Sequence, residues 1–268
     1  MRESGDMTSK ATALGGILDT LKTVFWALII AGTVRTLFFQ PYWIPSESMK
    51  DTLLIGDFLF INKMAYGYSR YSCPFNACPI KGRIWGAKPE RGDVVVFSHP
   101  VSHEVLVKRL IGLPGDLVQM RAGLLYINDV LAPQEPAGTF SEVMEAQGSM
   151  ANRPQCQNAP VRDGDICTRT RAIETLPNGV AHPVLNIEDN GYGDNTEVFL
   201  VPADNYFFMG DNRDNSTDSR FGPEMRGVGF VPYENLIGQV DIALFSSAGT
   251  SLLQFWTWRA DRFFKPIN

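Results

Sequence analysis

The first strong pattern along the chain is an apolar stretch near its N-terminus. Thr23 to Phe39 reads TVFWALIIAGTVRTLFF, with Arg35 as its single charge. A membrane-spanning helix needs about 20 mostly apolar residues, a length reached when Leu18 and Leu21 extend the segment. Arg35 lies near one end, where a long cationic side chain can reach the interface. Tyr42 and Trp43 follow at the place of an interfacial aromatic belt. A cleavable signal peptide is the competing reading, because the uninterrupted core Val24–Val34 is short. No clear small-x-small site followed by a mature domain is present, which favours a retained anchor over residues 17–39. Residues 1–16 are polar and small, as in a disordered tail. Arg2, Lys10 and Lys22 precede the span and favour a cytoplasmic N-terminus, with the bulk of the chain outside.

Beyond the anchor the period changes to two. RGDVVVF (91–97) reads as a turn entering a strand, and EVLVKRLIGLPGD (104–116) as a strand ending in a Leu-Pro-Gly-Asp turn. Alternation puts Leu106, Lys108 and Leu110 on one face, and Val105, Val107 and Arg109 on the other. A lysine between two leucines is either snorkelling at an edge or buried and desolvated. Burial disfavours the ammonium, and a neutral amine can act as general base for a serine. Two further apolar runs, Tyr206–Met209 and Gly229–Val231, enclose the polar stretch GDNRDNSTDSR (210–220). That stretch is either a solvated loop or a polar shell supporting a site.

Composition narrows this picture. The 24 glycines and 17 prolines, interleaved with Val, Ile and Phe runs, indicate many short strands joined by turns. A chain of 268 residues with net charge −5 holds a sizeable core and argues against nucleic acid as partner. The three histidines, His99, His103 and His182, sit beside prolines or in loop-like contexts. They are expected to be exposed loop residues, without the rigid placement a Ser-His-Asp triad requires. Cys73, Cys78, Cys156 and Cys167 form two locally close pairs without zinc-site spacing. In an oxidising compartment they suit disulfides Cys73–Cys78 and Cys156–Cys167; free thiols are the alternative.

Directly after the anchor lies Ile44-Pro45-Ser46-Glu47-Ser48-Met49, followed by Lys50-Asp51-Thr52-Leu53. Alone, two serines after a proline read as an ordinary turn. Taken in order, the anchor, IPSESMKDTL, GDFLFINKMAYG (56–67), RGDVVVF with VKRLIGLPGD, and GDNRDNSTDSR resemble type I signal peptidase of the bacterial inner membrane. The resemblance implies Ser48 as nucleophile, Lys108 as general base, and Ser46 with the Ser48 N–H as oxyanion hole. It implies that Ser216 orients the lysine amine and that Asp218 and Arg220 shape the site, with Asp211 and Asn212 structural. Ile44, Met49, Leu53, Leu106 and Val107 would line the pocket before the cut. Tyr42, Ile44, Val96 and Val107 would line a second pocket, two residues upstream.

The same resemblance implies signal-peptide-bearing precursors as substrates, a lipid bilayer as surroundings, transient contact with the secretion machinery, and neither metal nor organic cofactor. Leu106 and Glu47 depart from it, since tyrosine and a small residue are common there. The expected fold is mainly β: an antiparallel coiled-sheet catalytic core (40–132 and 201–250), an inserted β subdomain (133–200) and one N-terminal transmembrane helix. The C-terminal segment 251–268, rich in Phe, Trp and Arg, is either a helix closing the core or an amphipathic strip on the membrane. Two other readings compete: a different serine-lysine peptidase dedicated to one substrate, and a silent membrane-tethered binding module. The second gives no reason for Ser48, Lys108 and Ser216 to occur together.

Overall fold

The computed structural model describes residues 4–73, 78–249, 251 and 254–267. It opens with helix α1 (Ser4–Leu37), whose segment Gly16–Arg35 has a mean hydropathy of 1.6 and is long and apolar enough to cross a membrane. No part of that window is covered by protein, and Phe25, Trp26 and Leu28 stand exposed. The expected disordered tail is corrected here: from Ser4 it is helical and continuous with the span. Met7, Lys10, Ala11, Ala13 and Leu14 are good helix formers, and no proline interrupts them. Residues 1–3 lie outside the described residues.

Helix α1 is fastened to the β domain at its C-terminal end. Lys63 Nζ donates to the carbonyls of Arg35 (3.1 Å) and Ser72 (2.6 Å), and the Tyr68 hydroxyl donates to Leu37 O. A cation there complements both the unpaired carbonyls and the helix dipole.

The core is one eight-stranded antiparallel sheet. It runs in the order β1 (Phe39–Trp43), β2 (Asp57–Asn62), β16 (Leu236–Ser246), β5 (Val94–Ser98), β6 (Val105–Gly112), β14 (Asn205–Met209) and β15 (Val231–Pro232); β17 (Lys265–Pro266) adds to β16. The register of β16 shifts three times along its 11 residues, and each bulge bends the strand, curling the sheet. Both faces are buried. Val94, Val96, Val105 and Val107 enter one apolar cluster with Ile44, Met49 and Leu53, while Val95, Phe97, Leu106 and Leu110 enter another. The alternation read along 104–110 is therefore the alternation between these two clusters.

Three small sheets complete the fold. The longest holds β10 (Gln134–Val143), β11 (Ile166–Thr175) and β12 (Ala181–Asn186). A second has the order β13 (Phe199–Leu200), β7 (Leu117–Arg121), β8 (Leu124–Ile127) and β9 (Val130–Leu131). Because β13 returns to pair with β7, the excursion from the core sheet begins before position 133. The third joins β3 (Tyr68–Ser69) to β4 (Arg83–Ile84).

Of the two forms expected, the C-terminal segment does not take the helix. It makes two short 3-10 turns and β17 instead of a helix. Arg262 and Ile267 anchor it in the core, whereas Phe255, Trp256 and Phe264 face outward. Arg262 pairs with Asp57, Nε to Oδ1 at 2.9 Å, and donates to Thr52 O at 3.0 Å.

Candidate active site

Ser48 is held by backbone contacts from three directions. Ile44 bonds to the start of β2 (N to Asp57 O, 3.0 Å; O from Gly56 N, 3.0 Å). The chain then turns, with Lys50 N donating to Glu47 O at 2.9 Å and Leu53 N to Met49 O at 2.7 Å. The polar stretch after β14 closes over it: Asn212 N donates to Ser48 O (3.1 Å) and Asn212 Nδ2 to Glu47 O (3.2 Å). Gly210 permits this approach, because a Cβ there would lie 2.5 Å from Ser48 O. Met49 and Leu53 sink into the apolar cluster below.

Lys108 comes from β6, paired with Val95 of β5. It is 4 % exposed, and its Nζ donates to Ser48 Oγ. Burial pulls its pKa from 10.5 to about 8; Asp218 and Asp211 oppose the fall and Arg220 adds to it. Ser46 Oγ lies 3.5 Å from Ser48 Oγ. Asp218 and Arg220 form a two-pronged pair (2.9 and 3.0 Å), and Gly210 N donates to Asp218 Oδ2. Burial alone would raise the Asp218 pKa, but Arg220 outweighs it and holds it low.

Ser216 lies close to Gly210. It is buried, and among the described residues its Oγ has no hydrogen-bond partner, Lys108 included. The hydroxyl sits where a Cβ on Gly210 would meet it at 2.3 Å.

The histidine expectation is also corrected. His182 is 1 % exposed, with Nδ1 3.3 Å from Asp211 Oδ1 and Nε2 3.4 Å from Glu174 Oε1. Burial opposes its protonation, but the two carboxylates outweigh that and raise its pKa. His99 is buried as well; its Nδ1 accepts from Val101 N and Ser102 N at 3.0 Å and shapes a turn. Proline neighbours suggested loops, but β12 carries His182 inward against the Asp211–Arg109 pair (2.9 Å). His103 is exposed.

A 380 Å³ cavity opens beside Ser48 and Lys108. Tyr42, Ile44, Met49, Leu106 and Val107 line it, as expected, together with Pro45, Glu104, Val105 and Met150. Leu53 and Val96 do not reach it; both are fully buried beneath, packed against Ile44 and Val107. The Tyr42 hydroxyl donates to Val105 O at 2.6 Å. Cys73 is bonded to Cys78 and Cys156 to Cys167.

Residues 17–245 match the family described as "Signal peptidase, peptidase S26". Signal peptidase I of Rickettsia akari (strain Hartford) is 38 % identical over 241 residues, covering 85 % of this chain and 81 % of its own. Signal peptidase I of Rickettsia canadensis (strain McKiel) is 38 % identical over 250 residues, covering 90 % and 82 %. That of Rickettsia typhi (strain ATCC VR-144 / Wilmington) is 39 % identical over 231 residues, covering 83 % and 78 %. Together with the curled antiparallel sheet and its N-terminal apolar helix, these matches establish that the chain belongs to the signal peptidase family, peptidase S26.

Proposed function

We propose that this peptidase removes N-terminal signal peptides from secreted precursors through an acyl-enzyme on Ser48, with Lys108 as general base. The observation that carries this reading is the buried contact of Lys108 Nζ with Ser48 Oγ at the edge of an apolar cavity. With its pKa lowered to about 8, a useful fraction of Lys108 is neutral near pH 7. The amine takes the Ser48 proton as Oγ attacks the scissile carbonyl. The Ser48 N–H and the Ser46 hydroxyl face the developing oxyanion. The Lys108 ammonium then protonates the departing amine, and a water activated by the same group releases the acyl chain. Asp218 and Arg220 hold the lysine's surroundings, and Ser216, buried with its Oγ unpartnered among the described residues, is the hydroxyl left to orient the amine.

The narrow apolar cavity walls suit small side chains at the cut and two residues before it, hence a small-x-small rule. The apolar span and the cations that precede it support a bacterial inner membrane with a cytoplasmic N-terminus. The catalytic part then lies outside, where the two disulfides persist, in reach of precursors leaving the secretion machinery.

Ser48→Ala and Lys108→Ala are each expected to abolish cleavage of a precursor bearing an Ala-x-Ala site while the fold persists. Full activity in either variant would rule out the dyad. The rate should rise with pH through about 8 as Lys108 loses its proton.

A further inference from the structure

The residue between the two serines of the site is a glutamate, and it is 6 % exposed. A buried carboxylate needs partners, and Glu47 has four. Lys50 Nζ donates to Oε1 at 2.5 Å; Asn215 Nδ2, Arg169 and Gln155 N donate to Oε2 at 2.8, 3.2 and 3.4 Å. Lys50 also reaches both oxygens of Glu142 (2.8 and 2.7 Å) and Gln147 Oε1 (3.0 Å). Arg169 closes the ring by donating to Glu142 Oε1 at 2.8 Å. Lys50 is 1 % exposed and Arg169 fully buried. Two anions and two cations thus balance in a ring with little solvent access.

The membership of this ring joins separate parts of the chain. Glu47 and Lys50 flank the turn that begins at Ser48. Glu142 lies on β10 and Arg169 on β11, in the sheet that departs from the core. The loop between those strands adds Asn152, whose Nδ2 donates to Pro45 O at 2.8 Å, and Gln155, whose carbonyl accepts from Arg169 Nε at 2.6 Å. Cys156–Cys167 staples that loop to β11 next to these contacts.

We propose that the Glu47–Lys50–Glu142–Arg169 ring is a positioning device by which the β10–β11 sheet sets the placement of Ser46 and Ser48 for the reaction. The proposal rests on the reading of Ser48 as nucleophile. None of the four side chains touches the cavity, so they act through the backbone of residues 45–50. Geometry matters steeply here: a misplacement of about 1 Å can lower a rate about 100-fold. The ring also neutralises Glu47, which would otherwise set an uncompensated carboxylate next to the nucleophile and favour the Lys108 ammonium. Lys108 already faces Asp218, Asp211 and Arg220, and one more net negative charge nearby would raise the pH it needs.

The test compares Lys50→Met, Glu142→Gln, Arg169→Met and the double variant Glu47→Gln/Lys50→Met in the full-length chain, on a precursor with an Ala-x-Ala site. Lys50→Met and Arg169→Met are expected to lower kcat about 10- to 100-fold with KM within about twofold. They should also move the midpoint of the pH profile upward. The double variant removes one charge of each sign and should return the pH midpoint, while kcat stays low because the turn has lost both of its ring members. Arg169→Lys should restore activity in part. If Lys50→Met fails to fold, Glu142→Gln and the double variant decide the matter. Unchanged kcat and pH midpoint in folded variants would overturn the proposal, as would full recovery of kcat in the double variant. Activity surviving in Ser48→Ala would instead sink the underlying assignment of the nucleophile.

Discussion

Lys108 carries two opposed demands. In its proposed role as base its amine must be desolvated, and desolvation of a charge weakens the fold. In the unfolded chain its pKa is near 10.5, and in the folded protein about 8. Between those values the unfolded chain binds more protons, so stability rises with pH across that window. We expect Lys108→Met to be inactive yet more stable at pH 7 by about 1–3 kcal/mol. Denaturant titrations from pH 7 to 10.5 should show the pH-dependent gain shrinking in this variant. Lys63, also lowered to about 8 by burial and by Arg35, supplies a remainder. Equal stability of the two proteins at pH 7 would contradict the desolvated amine.

Strands β5 and β6 were legible because their side chains alternate between two buried clusters, and burial enforces strict period two. The C-terminal segment was not legible. Its aromatic and basic residues suit a helix face or a membrane strip, and what decides is one pairing about 200 positions away in the chain. Arg262 meets Asp57 at the start of β2, and Ile267 fills the cluster under the site. Removing one partner of a buried pair leaves an unpaired charge, at a cost of about 3–5 kcal/mol. Arg262→Ala should therefore lower unfolding stability by that amount in urea titrations, while Arg259→Ala, a partly exposed neighbour, should cost less. A small effect of Arg262→Ala would mean that the segment is docked by its apolar contacts alone.

The molecule as a whole presents an aromatic row from its C-terminus toward the site. Trp258 stacks on Phe245 (5.1 Å), Phe245 on Phe58 (4.6 Å), and Phe58 meets Trp43 edge-on (5.0 Å), one residue before Ile44 of the cavity. Phe255 and Trp256, each 71 % exposed, and Phe264 extend this surface outward. Exposed aromatics in such number suit the interfacial zone of a bilayer. In vesicles, the double variant Trp256→Ser/Phe264→Ser should cleave a membrane-inserted precursor several-fold more slowly. Its rate on a short soluble peptide should stay within about twofold of the parent. Equal losses on both substrates would argue for a structural role instead.

The chain's own pattern determined the apolar span, the β character of the core and the candidates Ser48 and Lys108, because hydrophobic periodicity and local motif order are one-dimensional properties. It also held the Glu47/Lys50 spacing, a pair three residues apart, without showing what Glu47 would meet. Burial depth and distant partners were decided only in three dimensions. His182 became a buried group between two carboxylates, Ser216 turned toward Gly210, and Leu53 and Val96 fell beneath the cavity floor. Each of these outcomes depends on which strand packs where. That choice is made by the summed burial of the two apolar clusters and the closure of ion pairs such as Arg109–Asp211 across more than 100 positions, and no local stretch of sequence encodes it.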